Sequence, residues 1–166
     1  ERAIAGAWRA LAEQRAQDAV AEAERATRLL PDDAEAWHVR CRAHIAVADW
    51  PAALESAGIL RRFDPASPAA LELLGRAAIE VGDRDLAHQA FTALDGLEPT
   101  LPGPRVGLAL VSARLDRDPA AAIAHLEVAL ARDPSLELSG LLLRPHWQPL
   151  AEDAAFVQAL SALLQR

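Results

Sequence analysis

Residues 68–99 read PAALELLGRAAIEVGDRDLAHQAFTALDGLEP, and this stretch decides the fold. Its apolar residues recur three and four positions apart in two runs, one on each side of Gly82. These are Leu71, Leu74 and Ala78, then Ala87, Ala90, Phe91 and Leu94. Each run predicts an amphipathic helix with a single face to bury. The stretch is therefore expected to be a pair of helices that bends at Gly82.

The stretch ends at a proline that belongs to a regular series. Pro31, Pro65 and Pro99 stand 34 residues apart, and Pro134 follows 35 residues later. A period of this length is typical of stacked helical hairpins, because one hairpin cannot bury both of its apolar faces alone. The series predicts four repeats, at about residues 1–31, 32–65, 66–99 and 100–134. Asp49, Asp83 and Asp118 precede the predicted second helices, where an N-cap is expected.

The deciding stretch resembles the tetratricopeptide repeat, whose pattern is W-x2-L-G-x2-Y followed by A, F, A and P. Leu74, Gly75, Ala87, Phe91 and Pro99 stand at the places of that pattern. The preceding repeat keeps Trp37, Ala53, Phe63 and Pro65, but it has Arg40, Cys41 and His44 where apolar, small and aromatic residues are expected. The resemblance implies an all-α fold, a right-handed α-solenoid of helical hairpins.

After Pro134 the period stops, and residues 135–166 are expected to form a C-terminal cap of a single domain spanning 1–166. A short helix is predicted from Ser135 through Leu143, ended by Pro145. A loop held by Trp147 and Leu150 should follow. Asp153 should then cap a last helix with one apolar face. Such a cap shields the apolar face that a terminal hairpin leaves bare.

Composition excludes several classes of partner. The net charge is −7, and the 17 cationic residues are all arginines without a concentrated basic run, so nucleic acid is not an expected partner. No apolar run approaches the ~18 residues of a membrane span, so no membrane insertion is expected. The chain begins at Glu1 and has no methionine, so we expect it to be a piece of a longer protein, which leaves the compartment open. Its Ala- and Arg-rich composition favours a bacterial source.

The resemblance also implies a binding face, because the first helices of such repeats line a concave surface. The residues it places there are His38, Arg42, Ile45, Glu72, Arg76, Ile79, Glu80, Val111, Arg114 and Leu115. Arg42 and Arg76 share one repeat position and could hold carboxylates of a bound segment. The alternative is that both are solvated charges paired with Glu72 and Glu80. The chain has no Lys and no Asn, so the Lys and Asn clamp of the family's chaperone-binding members is absent.

A metal site and a catalytic site are both disfavoured, and no cofactor is expected. His38, Cys41 and His44 stand three residues apart, but a closed zinc site takes four ligands and no fourth is evident. Cys41 and His44 are more simply explained as core residues. The sequence has no Gly-rich phosphate loop, no G-x-S-x-G and no H-E-x-x-H. The carboxylates are expected to be scattered over exposed positions without a partner base.

The first helix can be placed in two registers. In the strict 34-residue phase Trp8 faces the groove with Ile4 and Leu11. With one residue fewer, Ile4, Ala7, Trp8 and Leu11 form the core face, and this register is favoured because it buries more apolar area.

The sequence thus predicts a non-enzymatic scaffold that binds a protein or peptide segment in a concave groove. One alternative is a regulatory or oligomerising domain of a larger bacterial protein, with possible self-association. A weaker one is a receptor for a small ligand or metal.

Overall fold

The computed structural model describes residues 1–138, 140–144 and 146–165, and it shows only helices, turns and loops within them. The chain divides into two compact units, Glu1–Val81 and Gly82–Arg166. Among the described residues, no helix is both long and apolar enough to cross a bilayer. Pro145 lies outside the described residues.

Five helices make up the first unit: α1 (Arg2–Ala12), α2 (Ala16–Leu29), α3 (Ala34–Ala46), α4 (Trp50–Phe63) and α5 (Pro68–Val81). Successive helices pack on one another, and α1 also contacts α3 while α3 contacts α5. Alanines fill much of the core between them, since Ala7, Ala19, Ala23 and Ala36 are fully buried. Small side chains allow the helix axes to approach closely, as in the predicted hairpins.

The second unit begins with α6 (Arg84–Leu97) and α7 (Gly103–Val111), and α7 continues into a π-helix, Ser112–Asp116. Next come α8 (Pro119–Arg132), two 3-10 turns (Leu141–Leu143 and Gln148–Glu152) and α9 (Ala154–Leu164). α9 packs on α8. Trp147 stacks on Phe156 with 5.8 Å between ring centroids, and Leu150 is buried. The predicted anchoring of the loop by Trp147 and Leu150 is confirmed.

The sequence period is also a period of backbone geometry. The second helices α2, α4, α6 and α8 are each 14 residues long and begin at residues 16, 50, 84 and 119. Each is preceded by a turn with one left-handed residue: Gln14, Ala48, Gly82 and Arg117. These residues are 34, 34 and 35 positions apart. Each of the four turns therefore has a left-handed residue at the equivalent position, although glycine occupies only one of them.

Aspartates cap three of the second helices, α4, α6 and α8, as expected. The carboxylates of Asp49, Asp83 and Asp118 accept hydrogen bonds from the backbone N–H groups of Ala52, Leu86 and Ala121. Asp153 caps α9 in the same way. Each bond satisfies an amide that has no partner within its helix.

The predicted helix from Ser135 to Leu143 is wrong, since the described residues of that stretch form a 3-10 turn, Leu141–Leu143, and no longer helix. The Asp133 carboxylate accepts hydrogen bonds from both the backbone N–H and the hydroxyl of Ser135, and Leu136 N–H donates to the Asp133 carbonyl. These local bonds stabilise a turn that competes with helix initiation.

Candidate protein-binding face

The first helices of three successive repeats, α1, α3 and α5, each place a side chain at the same repeat position. Trp8, Arg42 and Arg76 stand 34 residues apart, so they occupy the same repeat position on successive helices. α1 contacts α3 and α3 contacts α5, which brings these positions into one row. Arg42 is exposed, while Trp8 and Arg76 are half-buried. We call this row, together with its neighbours His38, Leu11 and Ile45, the arginine wall.

The register favoured for the first helix is wrong, because α1 keeps the strict 34-residue phase. The left-handed turn residues Gln14 and Ala48 are 34 positions apart, and so are the hydrogen bonds Arg15 N–H to Ala10 O and Asp49 N–H to His44 O. The buried face of α1 consists of three alanines and Ile4, and Trp8 and Leu11 pack only partly against the core. Trp8 therefore belongs to the arginine wall.

Trp8 makes two contacts that tie α1 to α3. Its indole Nε1 donates to Glu35 Oε1 over 2.7 Å, and its ring meets the His38 imidazole edge-on with 5.3 Å between centroids. His38 also lies 3.7 Å from the Glu35 carboxylate. These contacts hold an amphipathic surface at a fixed place on the wall.

The two arginines differ in their surroundings. Arg42 is exposed and has no hydrogen-bond or ion-pair partner among the residues that the structure describes. Arg76 lies 3.7 Å from the Glu72 carboxylate, four residues earlier on α5. Ile45 and Glu80 are half-buried, and Glu72 is exposed. The wall thus combines apolar surface with a guanidinium that is available to a carboxylate.

Ile79 does not fit the predicted binding set, since only 2% of its surface is exposed. α5 is apolar around most of its circumference, with Leu71, Leu73, Leu74, Ala77 and Ala78 also buried. A helix of that kind is covered on more than one face, so Ile79 is a core residue.

Val111 is also a core residue, and the π-helix explains why. The resemblance placed Val111 on the binding face, but Val111 is 0% exposed, as is Ala77, which stands 34 residues before it. A π-helix accommodates one extra residue, so the extra position of the last repeat lies at Ser112–Asp116, after Val111. Arg114 and Leu115, within the π-helix, are half-buried, and Arg114 Nη1 donates to the His146 carbonyl at 3.4 Å.

The remaining sequence candidates face the interior. Cys41 is fully buried and its Sγ donates to the Ala53 carbonyl at 3.4 Å, and burial raises the pKa of the thiol to about 12. His44 is 4% exposed, and burial together with nearby Arg40 lowers the pKa of its imidazole. The described residues contain no group of three side chains placed to hold a metal ion.

Two carboxylates of the second unit are partly buried and paired, contrary to the expectation that all lie scattered on the surface. Asp95 accepts from Arg105 and Arg132, and Asp116 accepts from Arg84 and from His88 Nε2 at 2.8 Å. Burial raises the pKa of each carboxyl, but the hydrogen bonds outweigh it and the pKa of both Asp95 and Asp116 is lowered. The Asp95 pairs join α6 to α7 and α8, and the Asp116 pairs join α6 to the π-helix.

Comparisons with solved structures identify the fold. TTC0263, a thermophilic TPR protein of Thermus thermophilus, matches 98% of this chain and 86% of its own with a TM-score of 0.71 at 19% identity. A structure of MamA protein matches 98% of this chain and 88% of its own with a TM-score of 0.75 at 16% identity. A second MamA structure matches 95% and 91% with a TM-score of 0.70 at 16% identity.

The chain has the tetratricopeptide-repeat fold. The all-α solenoid of helical hairpins that the tetratricopeptide resemblance implied is thereby confirmed. No family model matches the sequence, and neither does any curated protein.

Proposed function

We propose that this protein is a non-enzymatic scaffold that binds a segment of a partner protein along the arginine wall. The observation that carries the proposal is the alignment of Trp8, Arg42 and Arg76 at one repeat position on three successive helices. Scaffolds with this fold generally present their first helices to partners, and a preformed wall needs little rearrangement to bind.

The chemistry of the wall specifies the partner. Arg42 offers a planar guanidinium that can hold a carboxylate through two parallel hydrogen bonds. Trp8, Leu11 and Ile45 offer apolar surface on either side of it. The best occupant is a peptide or helix in which an acidic residue is flanked by apolar side chains. Ile79 and Val111 are excluded from the contact set because they are buried.

We further propose that residues 1–166 act as one domain of four repeats closed by the cap 135–166, without a cofactor. The division at Gly82 falls between the two helices of the third repeat, not between repeats. If residues 1–166 are one domain, Trp8 and Trp147 should report the same cooperative unfolding transition. Two separate transitions would contradict the single domain.

Charge reversal tests the binding proposal. Arg42→Glu and Arg76→Glu should each reduce recovery of the specific partner by at least about tenfold, because a buried charge-assisted pair is lost and a repulsion is introduced. Arg61→Glu is the matched control, since Arg61 is also an exposed arginine but lies on α4, the second helix of its repeat, outside the arginine wall. Equal recovery by the wild type and both wall variants would overturn the proposal.

A further inference from the structure

A groove lined by α1, α2 and the turn between them shares no residue with the arginine wall. It encloses about 550 Å³, and four arginines line it together with small residues. They are Arg2, Arg9, Arg15 and Arg25, with Ala3, Gly6, Ala10 and Ala21. Its two acidic residues are engaged: Asp18 pairs with Arg15, and Glu22 lies 4.0 Å from Arg25. Arg2 and Arg9 have no ion-pair or hydrogen-bond partner within the described chain.

The positions of Arg2 and Arg9 can be compared with the same repeat positions on α3 and α5. Arg2 and Arg9 correspond to Ala36 and Ala43 on α3, both fully buried in the apolar cluster that α3 shares with α1 and α2. On α5 the same positions are Ala70 and Ala77, which are also fully buried. These positions are therefore covered in later repeats. On α1 they carry two exposed charges instead of two methyl groups.

Gly6 is a small lining residue of the groove. It lies between Arg2 and Arg9 on the same face of α1, where glycine destabilises a helix by roughly 1 kcal/mol relative to alanine. A Cβ at this position would meet only the Glu22 side chain, at 3.4 Å and beyond. The glycine therefore adds no side chain to the groove between Arg2 and Arg9.

We propose that this groove binds a helix of a partner protein that carries two carboxylates seven residues apart. Arg2 and Arg9 are themselves seven residues apart on α1, about 10 Å along the axis, so two carboxylates at that spacing can pair with both when the helices run side by side. A second copy of the chain does not supply this pattern, because no two of its acidic residues are seven positions apart.

An NMR titration tests the proposal on the intact chain. The probe is an 18-residue acetylated Ala- and Leu-rich helical peptide with Glu at positions 6 and 13, and the comparison peptide has Gln at both. The Glu peptide should shift the amide signals of Gly6 and Ala21 but not that of Arg42. The Gln peptide should bind at least about tenfold more weakly, as should an Arg2→Gln/Arg9→Gln variant.

An Arg61→Gln variant is the control and should bind the Glu peptide like the wild type. Circular dichroism checks that each variant is folded, which is expected because Arg2 and Arg9 are exposed. Unshifted Gly6 and Ala21 signals, or equal binding of the Glu and Gln peptides, would overturn the proposal. Neither outcome affects the arginine wall, since its test uses a different surface and different variants.

Discussion

The Trp8 indole donates a hydrogen bond to Glu35 over 2.7 Å and meets the His38 ring edge-on, with 5.3 Å between centroids. One side chain of α1 thus makes a polar and an aromatic contact with the same face of α3. Both contacts lie on the proposed binding wall, so the residue that anchors the first repeat also shapes the surface offered to a partner.

Truncation of Trp8 should therefore weaken the fold as well as the wall. We expect Trp8→Ala to reduce the free energy of unfolding by about 2–3 kcal/mol, less than for a fully buried tryptophan because Trp8 is only half-buried. Trp8→Phe keeps most of the ring and loses the hydrogen bond, so its loss should be about 1 kcal/mol. Urea unfolding monitored by circular dichroism measures both, and equal losses for the two variants would contradict the account.

The sequence predicts the helices and their turns well because a repeated pattern gives several independent readings of the same hairpin. The predicted register of the first helix, which placed Trp8 in the core, is wrong. The turns at Gln14 and Ala48 fix the register of α1, and this constraint outweighs the gain from burying a larger apolar area. The prediction also fails at Val111, because the position of an extra residue within a 35-residue repeat is invisible until the π-helix is located. The charged groove on α1 was missed because its meaning depends on which helix faces are covered.

The left-handed turn residues give a stability test of the period itself. Gly82→Ala should destabilise the protein by about 1–2 kcal/mol, because L residues disfavour this conformation and no neighbouring atom lies within 4 Å to compensate. Ala48→Gly relieves the same strain and should stabilise by up to about 1 kcal/mol. Thermal unfolding measures both changes. Effects of the same sign for the two substitutions would show that the turns are not equivalent.

Phe91 and Gly107 test the packing of α6 on α7. A Cβ at Gly107 would overlap the Phe91 ring, so Gly107→Ala should cost about 1–3 kcal/mol despite the higher helix propensity of alanine. Gly58→Ala is the matched control on α4, where an added Cβ meets nothing within 4 Å, and it should stabilise by up to about 1 kcal/mol.

A double substitution isolates the overlap between these two residues. In a Phe91→Ala background the Gly107→Ala change should lose its penalty, because the ring that it meets is gone. An unchanged penalty in that background would place the clash elsewhere. Denaturant unfolding of the four variants gives the coupling energy directly.

His44 should make the stability depend on pH. Burial and Arg40 lower the pKa of its imidazole below the ordinary 6.5, outweighing Asp49 and Glu24, which raise it. The unfolded chain therefore binds the proton more tightly, so stability is complete above about pH 6.5 and falls as the pH decreases below it. His44→Ala, which matches Ala10 and Ala78 at the same repeat position, should lose less stability between pH 7 and 5. His125 also has a lowered pKa because of burial, so some loss should remain, whereas parallel pH profiles would exclude His44 as a source.

Site-specific photo-crosslinking tests the proposed binding wall most directly. A photoreactive phenylalanine analogue replaces Ile45, an apolar residue of the arginine wall, so that Arg42 and Arg76 stay in place. The same analogue at position 61 is the comparison, and mass spectrometry identifies the crosslinked peptides. We expect position 45 to crosslink to a partner segment that contains an acidic residue beside apolar ones, and position 61 not to crosslink. Crosslinks of the same partner from position 61 and none from position 45 would contradict the assignment of the binding face to α1, α3 and α5.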